Sequence, residues 1–122
     1  MLRLSLILFG ITMLFGFVLA AMNLRTSDKA PPLLVRVAHG VLGAAGLAAL
    51  FLTLGTPMQG ANSGVGTFRM DAVVLLSAAL LLGLGILVTF RMAPKSAGAV
   101  IALHATIAMF GLAILAAYVS LG

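Results

Sequence analysis

The chain has 122 residues, of which 63% are hydrophobic and 7% charged, with a net charge of +5. Soluble domains carry about 25% charged residues, so a water-soluble enzyme or binding domain is excluded and an integral membrane protein is indicated. The lysines and arginines flank apolar runs rather than forming a stripe on a folded surface, which argues for membrane topology and against a nucleic-acid partner; the absence of cysteine excludes disulfides, iron–sulfur clusters and thiolate metal sites.

The first apolar run, residues 4–22, is too long for the roughly 7–15-residue core of a signal peptide and is read as a first transmembrane helix. A polar connection from Asn23 follows, with Arg25, Asp28 and Lys29, and closes on Pro31-Pro32. Proline is favoured at a helix start, where its missing N–H has no partner to lose. A second helix is predicted over residues 33–55. The longest connection, 56–71, is rich in glycine and polar residues and reads as a surface loop. A third helix is predicted over 72–90, a short basic turn over 91–97 and a fourth helix over 98–121.

Four apolar helices joined by short connections predict an all-α integral membrane fold, a single domain spanning 1–122 built as an up-down-up-down antiparallel bundle. The first and third connections and the adjoining helix ends carry Arg25, Lys29, Arg36, Arg91 and Lys95, whereas the other side carries Arg3 and Arg69. The positive-inside rule then places the two basic turns in the cytoplasm and both termini in the periplasm, in a bacterial inner membrane.

The only two histidines lie in matching stretches of the second and fourth helices, His39 to Leu47 and His104 to Leu112, each reading histidine, six residues, glycine, leucine. Those helices run parallel, and each histidine falls about six residues after its helix start, so both imidazoles lie roughly 9 Å below the same membrane boundary. In a square bundle the second and fourth helices are diagonal, with axes roughly 11–14 Å apart. That gap fits two inward imidazoles with one iron between them. Arg36, Gly43 and Gly46 share a face with His39, and Gly111 shares one with His104. Small residues there leave room for a flat macrocycle, although close helix packing in membranes also favours them. At the same depth the first helix has Gly16 and the third has Gly85.

These residues resemble the transmembrane b-type cytochromes, including cytochrome b of quinol-oxidising complexes. In that family, histidines on the second and fourth helices of a four-helix core ligate haem, and glycines on the first and third accommodate it. The resemblance covers the helical plan and implies one haem b held by His39 and His104, with Gly16 and Gly85 beside it. It departs from cytochrome b in having one histidine pair rather than two. Haem propionates would need cations, for which Arg36, one turn from His39, is the first candidate and Arg91 the second; arginines at helix ends also snorkel and set topology.

The expected function is electron transfer, as a carrier or as a subunit of a larger respiratory or other redox complex, and not as an independent enzyme. The expected partners are the lipid bilayer and a redox protein or a second copy of the chain. Quinone is a further candidate, with Thr53 and Tyr118 on the histidine faces near the far boundary. Three alternatives stand beside this reading: another pigment or metal between the histidines, a proton relay, and a structural or assembly subunit whose histidines only bridge helices. A small transporter is disfavoured because the histidines are the only ionisable groups deep in the helices.

Overall fold

A computed structural model describes residues 1–25, 31–58, 60 and 64–121. Residues 26–30 of the expected 23–32 connection, with Asp28 and Lys29, therefore lie outside the described residues. Four helices follow in order: α1 (Leu2–Arg25), α2 (Leu33–Phe51), α3 (Phe68–Met92) and α4 (Ala97–Leu121). A tight 3-10 turn, Leu52–Gly55, extends α2, and another, Pro94–Ser96, leads into α4. All four are long and apolar enough to cross a membrane, and together they form the antiparallel all-α membrane bundle that the sequence predicts. At 1.5 Å rise per residue, a 25-residue helix spans about 37 Å, enough for a ~30 Å hydrocarbon layer.

α1 and α3 outrun their predicted ends, 4–22 and 72–90, for physical reasons. Arg3 and Arg25 at the ends of α1 are exposed, and their long stems let the helix continue into the headgroup region. The start of α3 differs more. The stretch read as loop up to residue 71 is already helical from Phe68, and Arg69 is only 4% exposed. Its Nη1 donates to the carbonyls of Thr53, at 2.7 Å, and Thr56, at 3.0 Å. These carbonyls end the second span; that of Thr53 also accepts the Thr56 N–H at 3.0 Å and the Thr56 Oγ1 at 2.7 Å, and Arg69 adds to these bonds, capping the 3-10 turn instead of facing solvent.

The bundle is built from two hairpins. α1 packs mainly on α2 and α3 mainly on α4, while α1–α4 and α2–α3 form the lesser contacts, leaving α2 and α4 on the diagonal. The hairpins repeat in detail. A Cβ added to Gly46 would lie 3.3 Å from the Phe9 ring, and one added to Gly111 would lie 2.9 Å from Leu76 Cγ. The H-x6-G-L stretch thus presents its glycine to a large side chain of the preceding helix in both halves. In the first hairpin, Ser5 Oγ adds a buried 2.8 Å hydrogen bond to the Gly46 carbonyl.

Packing is uneven along the bundle. Phe9, Leu47, Leu50, Ala72, Val73, Leu76 and Leu115 form the core, and all lie toward the end that holds the two chain termini. Toward the end holding the α1–α2 and α3–α4 turns, none of residues 13–25, 33–45, 80–92 and 98–110 is fully buried. The histidines belong to this second half.

Candidate functional site

His39 and His104 face one another from α2 and α4, with ring centroids 6.0 Å apart and planes crossing at 71°. The two imidazoles lie level across the bundle, as the sequence predicts, because each follows the start of its helix by a similar number of residues and the two helices run parallel.

Each ring is fixed by the neighbouring helix of its own hairpin. His39 Nδ1 lies 2.9 Å from the Thr12 carbonyl on α1, and His104 Nδ1 lies 2.7 Å from the Ala79 carbonyl on α3. A carbonyl only accepts, so Nδ1 carries the proton in both rings, and in the neutral imidazole the lone pair resides on Nε2. One turn further along each supporting helix is a glycine against the ring edge. A Cβ at Gly16 would lie 3.1 Å from His39 Cε1, and one at Gly83 would lie 3.1 Å from His104 Cε1 and 3.4 Å from its Nδ1. The carbonyl and glycine thus form a matched cradle in each hairpin: Thr12 and Gly16 for His39, Ala79 and Gly83 for His104.

Four of the sequence-predicted glycines do not touch the imidazoles. Gly85 faces open space, with nothing within 4 Å of an added Cβ, and the glycine that meets His104 is Gly83. Two residues differ by only about 3 Å in depth but by roughly 200° around a helix, so depth alone does not choose which of the two meets the ring. Gly43, Gly46 and Gly111 do not flank the rings. Their missing side chains are filled by Thr12 Cγ2 at 3.4 Å, by Phe9, and by Leu75 and Leu76 respectively. Their place in the structure is close helix packing within each hairpin.

Arg36 occupies the turn of α2 between His39 and the nearer end of the bundle. It is half-exposed as a residue, but its Nε is buried and has no hydrogen-bond partner among the described residues. Arg91, in the last turn of α3, is exposed. The corresponding position in the second hairpin, Ile101, is apolar, so only the first hairpin brings a cation beside the imidazoles. Thr53 and Tyr118 lie far from the rings, buried at the other end.

Among the described residues there is no group of three or more His, Cys, Asp or Glu that could hold a metal ion. Among the described residues the donors that the site brings together are the two imidazoles. No protein-family model, curated protein or solved structure matches the chain.

Proposed function

We propose that the protein is a membrane-embedded b-type cytochrome, or a cytochrome subunit, that carries electrons through one haem held by His39 and His104. The observation that carries the reading is the pair of imidazoles 6.0 Å apart, each with Nδ1 held by a backbone carbonyl. Two nitrogens bound to one metal at about 2.0 Å, each about 1.1 Å from its ring centre, put the ring centres ~6 Å apart. Metal-bound histidines commonly donate their other ring N–H to a carbonyl, which fixes the tautomer and makes the ligating nitrogen more basic.

Further observations fit the same group. The cradles at Gly16 and Gly83 hold the ring edges without a side chain in the way. The half of the bundle that contains the rings lacks a closed side-chain core. The orphaned Nε of Arg36 is the donor that a haem propionate would accept from.

In this reading each residue has a distinct task. Nε2 of His39 and of His104 would bind the iron, and the Thr12 and Ala79 carbonyls hold the rings in orientation. Arg36 neutralises a carboxylate at the hairpin-turn end, with Arg91 as the outer cation. When bound, haem would supply a one-electron redox couple, and with both imidazoles as its ligands it would keep no coordination site for a substrate. The chain is then a carrier rather than an enzyme, exchanging electrons with a membrane redox partner or with quinone. The distribution of basic residues supports an orientation with the haem nearer the cytoplasmic face and both termini in the periplasm.

The same Nδ1 bonds tie α2 to α1 and α4 to α3, which favours a second reading: a structural subunit in which the histidines only join helices. Optical spectroscopy separates the two. Protein purified in detergent from haem-supplemented cells is expected to show a Soret band that shifts on reduction, and His39→Ala or His104→Ala is expected to abolish it. A colourless protein that stays colourless after haem addition would sink the cytochrome reading and leave the helix-joining one.

A further inference from the structure

At the opposite end of the bundle lies an open cleft of about 610 Å³, within the range of small-molecule sites, roughly 300–1,000 Å³, and lined by Met1, Leu2, Arg3, Thr53, Thr56, Pro57 and Met58. It opens where α1 begins and the second span ends, at the level of the membrane boundary. Its walls are mostly apolar, yet its charge is all of one sign. Arg3 lines it and is exposed.

Behind the wall is Arg69, 4% exposed. It holds the carbonyls of Thr53 and Thr56, two of the cleft's own residues, while its Nε is buried without a partner among the described residues. These two bonds are to neutral groups. Asp71, the only acid among the described residues, is exposed and does not line the cleft. A guanidinium out of water with only neutral partners leaves its charge uncompensated.

We propose that this cleft binds the head of an anionic phospholipid. The phosphate lies between Arg3 and the ridge that Arg69 supports, and the apolar walls take the adjoining glycerol and the first methylenes. Depth favours this occupant: an arginine at the start of a span lies at headgroup level, within reach of a lipid phosphate, with which a guanidinium makes charge-assisted hydrogen bonds. The proposal is independent of haem, because the cleft and the histidines are at opposite ends of the bundle.

Native mass spectrometry of detergent-purified, delipidated protein tests it, with phosphatidylglycerol, phosphatidylcholine and inorganic phosphate as probes. Phosphatidylglycerol is expected to be retained well above phosphatidylcholine, with inorganic phosphate neither retained nor able to displace it. Arg3→Gln is expected to weaken phosphatidylglycerol binding about fivefold. Met58→Trp, which fills the cleft from an exposed position, is expected to weaken it while leaving lipid-free melting unchanged. Equal retention of the two lipids, no effect of either variant, or displacement by millimolar phosphate would each overturn the proposal, the last by showing that the site takes a free anion.

Discussion

Replacing Gly83 with alanine tests the cradle directly. The new Cβ would lie 3.1 Å from His104 Cε1 and 3.4 Å from Nδ1, closer than the roughly 3.5–4.0 Å at which carbon atoms rest. The ring must retreat by a few tenths of an ångström. It cannot do so freely, because Nδ1 is held 2.7 Å from the Ala79 carbonyl on the same supporting helix. Overpacking of this kind costs about 1–3 kcal/mol. If about 1–2 kcal/mol of that falls on the ligating geometry, haem affinity drops roughly 5- to 30-fold. Gly85→Ala is the control: its Cβ meets nothing within 4 Å, and relief of glycine's backbone entropy stabilises the helix by roughly 0.5–1 kcal/mol. The assay is haem titration of apoprotein in detergent, read at the Soret band, alongside denaturation of the apoprotein. Equal haem affinity for the two variants would refute the idea that Gly83 seats a ligating ring.

Three other substitutions give distinct outcomes. Arg36→Leu removes a buried orphaned Nε, so the apoprotein gains about 1 kcal/mol or more, whereas haem affinity falls as a charge-assisted bond worth about 1.5–3 kcal/mol is lost. Movement of both quantities in one direction would exclude a carboxylate partner for Arg36. Gly111→Ala drives a Cβ to 2.9 Å from Leu76 Cγ and is expected to destabilise the bundle by about 1–3 kcal/mol without altering the Soret position, since it lies two turns from His104. Ser5→Ala breaks the buried bond to Gly46 and is expected to lower stability by about 1–3 kcal/mol, again with an unchanged spectrum.

The bundle and the shared depth of the two histidines were legible because they depend on quantities that run along the chain. Hydropathy gives the spans, and helical rise gives depth. What was not legible depends on rotation about each helix and on contacts between distant segments. Gly83 and Gly85 are equally good by depth, and only the orientation of α3 chooses between them. Gly43, Gly46 and Gly111 share the histidine faces, but each face is wide enough to touch both the neighbouring helix and the bundle interior, and packing on the neighbour took those glycines. Arg69 looked like a topological charge at a span end. Its burial goes with its bonds to the carbonyls of Thr53 and Thr56, at the 3-10 turn into which α2 tightens, a contact between distant segments. The matched carbonyls of Thr12 and Ala79 leave no mark in side-chain identity, because the accepting atom belongs to the backbone.

The division of the bundle into a packed half and a looser half follows from this repeat. In each hairpin the glycine of the H-x6-G-L stretch lets a large side chain, Phe9 or Leu76, close the core. Seven residues earlier the same helix presents histidine, whose Nδ1 is committed to the neighbouring helix of its hairpin. Stability is therefore concentrated near the chain termini, while the other half holds imidazoles already oriented by backbone acceptors. Sites that must admit a ligand belong in the less densely packed part of a fold, and polar groups held ready in an apolar bundle depart from what packing alone would select. The two halves agree where they grip the rings and differ one turn away, where Arg36 has Ile101 as its counterpart. A symmetric pair of donors beside a single cation suits a group that is symmetric at its centre and acidic along one edge.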